Sequence, residues 1–189
     1  MTDIPDRGVG TTLWEIRRYS EEQTVFAATV LGHPPEEHDF DALGIDPYEV
    51  TKIDGNLVTT AGWGRITTLL NAGTGNLITS TTARVGAGNG GGSAAVGDTD
   101  LSAAAGSANR WFQTSTVTVP SSTQLQFVAT FGTADGNFAW QEFGIDIGTA
   151  TVTSGNTVNA VLLNHKTSIA QGTKASGQTW TATATLTFT

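Results

Sequence analysis

The chain has 189 residues, 38% hydrophobic and 14% charged, with 23 glycines, no cysteine and a net charge of −8. That length admits one domain with a real core plus an appendage, and the missing cysteines exclude a disulfide scaffold, thiolate zinc sites and a cysteine nucleophile. Nine basic residues, nowhere more than two adjoining, argue against a nucleic-acid partner, because phosphate binding needs clustered Lys and Arg.

Few charges and abundant Gly, Thr, Ser and Ala fit an all-β chain with many turns better than a helical enzyme. The opening Met-Thr-Asp-Ile-Pro-Asp lacks the basic and apolar segments of a secretion signal. No apolar run approaches the ~20 residues that cross a bilayer. The expectation is a soluble protein made in a cytoplasm, with no membrane partner.

Residues 1–10, with Pro5, Gly8 and Gly10, read as an irregular arm. Two strand-like runs follow, TLWEIRRY and TVFAATVLG, and the polar Ser20–Gln23 between them suits a hairpin turn. A helix through Trp14–Tyr19 is the competing reading. Residues 32–55 hold three of the five prolines and irregularly spaced apolar residues. They read either as an extended assembly arm, with Phe40, Leu43, Ile45 and Tyr48 filling shallow pockets of a partner, or as a long loop packed on its own domain. The chain thus divides into an N-terminal region, 1–55, and a compact domain, 56–189.

In the second part, Thr59 or Thr60 caps a helix through Ala61–Asn71, with Trp63, Ile66, Leu69 and Leu70 on one stripe and Gly73 and Gly75 as the stop. Short strands are expected over 76–80 and 82–85, and then a Gly/Ala-rich loop with a helical turn near Thr99–Ala105. Trp111–Val119 returns to strand, with Val117 and Val119 inward. Leu125, Phe127, Ala129 and Phe131 alternate with polar residues at period 2. A Gly/Asp/Asn turn and a second apolar run (Phe138, Trp140, Phe143, Ile145, Ile147) follow, which together read as a β-hairpin. Asn159–Ser168 is another strand. From Trp180 to Thr189, apolar Trp180, Ala182, Ala184, Leu186 and Phe188 alternate with threonines without an error. Antiparallel strands at such spacing predict an all-β fold, a β-sandwich or jelly-roll-like domain with one short helix and an extended N-terminal arm.

Chemistry is sparse. Gly86–Gly91 matches G-x-G-x-x-G nominally, but no helix opens inside it, so a loop is expected. His33 and His38 lie among acids without a shared face, and read as surface residues. His165, within a strand, reads as a hydrogen-bonded structural residue. Asp98 with Asp100, and Asp135 with Asn137, fit turns better than a calcium loop. Glu142, on the same side of its strand as Trp140, needs hydrogen bonds or an ion pair with Arg84, Arg110 or Lys166, because a buried unpaired carboxylate is costly. It lacks the second carboxylate that glycosidic chemistry would need, so it is expected to be structural alongside Trp140, Phe143, Trp180 and Trp63. No metal, cofactor or catalytic residue is expected.

The stretches NLVTTAG (56–62), ARVGAG (83–88), DTDL (98–101), ATFGTADGNFAWQEFGID (129–146), LLNHK (162–166) and QTWTATATLTF (178–188) resemble a family of structural proteins of tailed bacteriophages. The looser order of these pieces is also similar to tail-fibre and baseplate modules. The resemblance covers roughly residues 56–189, and FAWQEFGID and LLNHK are its more specific parts. It implies a virion location and a non-enzymatic head decoration or minor capsid role, with the major capsid protein or tail proteins as partners. It also implies a homo-oligomer such as a trimer, since symmetric assembly multiplies a weak contact. Other readings stay open: a tail component meeting a host glycan, a carbohydrate-binding module presenting its five Trp, or a glycan hydrolase.

Overall fold

The structure, a computed structural model, describes residues 11–75, 77–148, 152–153, 156–157 and 160–188. The expectations for residues 1–10 and for the strand start at Asn159 lie outside them. In chain order the elements are β1 (Thr11–Tyr19), α1 (Glu21–Leu31), α2 (Glu37–Ala42), β2 (Glu49–Asp54), β3 (Leu57–Val58), α3 (Thr60–Ala72), β4 (Ala83–Gly88) and β5 (Arg110–Thr114). They continue with β6 (Thr116–Thr118), β7 (Gln124–Phe131), β8 (Glu142–Ile147), β9 (Val152–Thr153), β10 (Asn156–Thr157), β11 (Val161–Thr167) and β12 (Thr179–Thr187).

Two five-stranded antiparallel sheets, ordered β2-β1-β12-β7-β6 and β3-β11-β8-β4-β5, pack as the expected β-sandwich. Three helices among the described residues, rather than one short one, mean that the fold is not purely all-β. None of them is long and apolar enough to cross a membrane.

The period-2 faces build the core. On β12 the side chains of Trp180, Ala182, Ala184 and Leu186 point inward. Ala184 lies between Trp14 and Phe127 of its neighbours, and Ala182 between Ile16 and Ala129. Small residues on the middle strand leave room for the large ones beside them. Trp14 stacks on Phe143 of the opposite sheet at 5.0 Å, and Trp140 meets Phe131, Trp180 and Phe143 at 4.7, 4.9 and 5.6 Å. Arg18 closes one end of the layer, its guanidinium 4.7 Å from the centre of the Trp180 ring and bonded to Glu49, Thr51 and Gln171.

Several expectations are corrected. β7 and the run after it do not form a hairpin: β7 lies in the first sheet and β8 in the second. The connection carries Trp140 between the layers, its indole N–H donating to Gly136 O at 2.9 Å. Buried Lys174 holds that turn, donating to Gly132 O and Asn137 Oδ1, both at 2.7 Å. The run Trp111–Val119 breaks at buried Ser115 into β5 and β6, one in each sheet, and Val119 is exposed.

TVFAATVL is helix α1, not strand, and Trp14–Tyr19 is strand, not helix. Ser20 Oγ accepts from Gln23 N, and Gln23 Oε1 accepts from Ser20 N, so the expected turn is a capping box. Gly32, at φ +76°, ends the helix in the left-handed conformation.

Residues 32–55 are not an extended arm but pack on their own domain, as the other reading had it, through α2 and β2. Phe40 of α2 is fully buried and stacks on Tyr19 at 3.7 Å, with Ala27, Leu43 and Ile45 around the pair. Of the four expected anchors only Tyr48 is exposed. β1 lies between β2 and β12, so strands from either side of residue 55 share one sheet.

Helix α3 forms as expected, capped by Thr59 and ended by Gly73. Ile66 reaches the core, Trp63 and Leu69 are half-buried, and Leu70 points away, 82% exposed. Gly62 costs helix propensity but permits contact: a Cβ there would stand 2.3 Å from Leu163 O. A Cβ on Gly64 would meet nothing within 4 Å. Gly62→Ala is therefore expected to destabilise by about 1–3 kcal/mol through forced displacement of the helix. Gly64→Ala is expected to stabilise by about 1 kcal/mol. Thermal denaturation of the two variants checks the opposite signs.

Candidate functional site

Inward alternation of Ala83, Val85 and Ala87 on β4, and of Phe143, Ile145 and Ile147 on β8, turns Arg84, Gly86, Gly88, Glu142, Gly144 and Asp146 outward. Every one of these outward residues is nevertheless buried. The cover is residues 89–109, which lay Leu101 and Ala103 over the sheet beside Phe112 and Leu162. Glycine is what lets the cover close. A Cβ at Gly86 would stand 2.3 Å from the Phe112 ring, and at Gly144 it would stand 2.8 Å from Leu162 Cδ1. The G-x-G-x-x-G stretch is thus the end of a strand and the start of a covering loop, and it opens no helix.

Glu142 is fully buried at the centre of this cover. Its Oε1 accepts from the backbone N–H of Ala103 at 2.7 Å and of Gly90 at 3.2 Å. Its Oε2 accepts from Ser102 N at 2.8 Å and Ser102 Oγ at 2.7 Å, and lies 2.8 Å from His165 Nε2. The other imidazole nitrogen, Nδ1, lies 2.6 Å from Asp98 Oδ2, which also accepts from Ala95 N at 2.8 Å. An imidazole between two carboxylates donates through both nitrogens when it is charged. Desolvation pushes the Glu142 carboxyl up, but donation from His165, Ser102 and Ala103 outweighs it and holds the group at about 2. Burial opposes charge on His165 as well, and there the two carboxylates win and raise it. Asp98 is lowered, chiefly by the Ala95 N–H.

The partner of Glu142 is therefore His165, and not Arg84, Arg110 or Lys166 as expected. Lys166 reaches Asp54 O at 2.9 Å, Arg110 binds Asp100 at 2.7 Å, and buried Arg84 sits beside Asp146. The expected helical turn near Thr99–Ala105 is absent, because the amides of residues 102 and 103 turn to Glu142 instead. His165 is the hydrogen-bonded strand residue that was expected. The roles of Asp98, Ser102 and Gly90 were not foreseen. Asp98 lies 67 residues from its partner, and only the bare DTDL turn marks its place.

Chemically, this arrangement holds rather than transfers. Both imidazole nitrogens face carboxylates, so neither is open to deprotonate a nucleophile, and the carboxylate that accepts the Ser102 hydroxyl is too weakly basic to activate it. Three of the four residues considered for calcium have other partners: Asp98 binds His165, Asp100 binds Arg110, and Asn137 accepts from Lys174. His33 Nδ1 lies 2.9 Å from Pro34 O, and His38 pairs with Asp39 at 3.4 Å. Among the described residues no group of three or more His, Cys, Asp or Glu side chains stands in metal-binding range.

Trp140 and Phe143 lie in the main core with Trp180, whereas Trp63 is half-buried on α3. Set against models of known families, curated proteins and solved structures, the chain matches none of them.

Removing one member of a buried charged pair typically costs about 3–5 kcal/mol. Glu142→Gln and His165→Ala are each expected to lower stability by that order in urea denaturation, and the double variant by less than the sum. The pH dependence has two limbs. The folded values of Glu142 and Asp98 are depressed, so both contributions are lost on acidification, that of Glu142 being complete above about 4.5 and fading as pH falls toward 2. His165 is raised, so its contribution is complete below about 6.5 and is lost as pH rises through its folded value. The stability difference between the wild type and His165→Gln is therefore expected to peak at about pH 4.5–6.5, as measured by melts across pH.

Proposed function

We propose that the protein is a non-enzymatic structural component that docks on a larger assembly, and in the finer reading a head-decoration protein of a bacteriophage virion. The observation that carries this is the outer face of α1. Val25, Phe26 and Val30 flank exposed Glu22 and Thr29 on that face and are 57%, 57% and 56% exposed, while Thr24 and Ala27 on the opposite face are buried. The helix is apolar on both sides. One side is spent on the sandwich, and the other is the kind of surface that marks a contact with another protein.

The spent state of the buried charges supports a holding role over catalysis. So does the resemblance of residues 129–146 and 162–166 to phage structural proteins. Symmetric assembly, for example a trimer, fits a small patch of this kind, because it multiplies a modest contact. The second reading, a tail-fibre or baseplate component, shares the same physical basis. A carbohydrate-binding module built on tryptophan platforms fits poorly, since Trp14, Trp140 and Trp180 are buried and Trp63 and Trp111 half-buried.

Deleting residues 1–55 would remove β1 and its core residues, so a point substitution is the cleaner probe. Labelled protein is expected to cosediment with purified heads. Phe26→Asp is expected to weaken that binding at least about tenfold without lowering the melting temperature. Sedimentation with tails alone selects the second reading. Failure to bind either particle, or equal binding by Phe26→Asp, overturns the proposal.

A further inference from the structure

The outer face of the first sheet holds a trough that neither the packing nor the docking helix uses. Outward alternation sets Leu13, Thr185 and Gln126 in one cross-strand row and Glu15, Thr183 and Val128 in the next. Glu37 of α2 stands over one end. The cavity is about 330 Å³ in volume and adjoins a second of about 220 Å³, with Glu37 and Val128 common to both. The larger one falls at the lower end of the roughly 300–1,000 Å³ typical of small-molecule sites.

The two carboxylates that line the larger cavity, Glu15 and Glu37, face two cations, whereas the smaller cavity is acidic, lined by Glu36, Glu37 and Asp41. Arg17 Nε lies 2.7 Å from Glu15 Oε1, and its Nη1 lies 3.4 Å from Glu37 Oε1. Lys52 Nζ takes the other Glu15 oxygen at 2.9 Å, and Asp41 meets Arg17 at the rim at 3.3 Å. With Glu15 and Glu37 of the larger cavity each against a cation, a neutral ligand there finds oriented donors and acceptors and displaces no unpaired charge. The floor offers the same chemistry more loosely. Thr183 Oγ1 donates to Glu37 Oε2, and Gln126 Nε2 donates to Thr185 Oγ1, both at a long 3.3 Å. Ligand hydroxyls can replace bonds of that length at small cost. Thr183 and Thr185 stand roughly 6.8 Å apart along the strand, a span that one six-membered ring and its hydroxyls bridge. Leu13 and Val128 flank them with aliphatic surface for the C–H face of such a ring.

We propose that this trough binds a neutral saccharide, with one ring in the larger cavity. The proposal does not depend on the docking role of α1, and the two fail separately. An open polar trough without an aromatic platform gives weak binding, in the millimolar range.

The test is saturation-transfer NMR on the full chain with maltotriose, cellotriose, lactose and diacetylchitobiose, and with hexalysine and inorganic phosphate as charged probes. At least one saccharide is expected to bind. Thr183→Val and Gln126→Leu are each expected to weaken it about fivefold, the loss of one hydrogen bond, with unchanged melting temperature. The proposal is overturned if no saccharide of the panel binds, if binding survives both substitutions, or if a charged probe binds there in preference.

Discussion

A carboxylate taken out of water must be saturated with donors, and much of the second sheet follows from how Glu142 meets that demand. Residues 89–109 have no strand partner to define their path. Their backbone amides at 90, 102 and 103 converge on one carboxylate, and Asp98 is fixed through His165 on the next strand. A single side chain thus does for a loop what a ladder of hydrogen bonds does for a strand. The glycines beneath it belong to the same solution, because Glu142 and Leu101 occupy space that β-carbons at positions 88 and 144 would fill.

The two outer faces of the sandwich are finished differently. The second sheet is sealed by an irregular segment over small and apolar residues. The first is covered at one end by α1 and α2, with Tyr19 and Phe40 stacked between helix and sheet, and is left polar and open at the other. Alternation along a strand sets which side chains share a face, but what covers that face is decided by distant chain.

That distinction accounts for what could be read in advance. The strand at 179–187 and the inward set on β7 were legible because period 2 is a local property. The cap and stop of α3 were equally local. Helix α1 was obscured because TVFAATVL is apolar on both faces and shows no helical period, although Ser20 and Gln23 carried the capping signal. The false hairpin arose because inward parity is the same whether two strands share a sheet or face each other across the core. For Glu142, burial and the need for a partner followed from its apolar neighbours. The identity of that partner did not, since His165 reaches it only through the antiparallel register of β8 with β11, which sets Gly144 opposite His165 and Thr167 opposite Glu142.

The first sheet also constrains how the chain assembles in time. β1 is paired along its whole length with β12, Thr11 opposite Thr187. At a synthesis rate of roughly 5–20 residues per second, β1 emerges about 10–35 seconds before its partner exists. Throughout that interval Trp14 and Ile16 can have β2 beside them but lack β12, the strand that joins them to β7. Completion of the sandwich is therefore limited by long-range closure, and a nascent chain carrying an apolar strand edge is open to pairing with another copy.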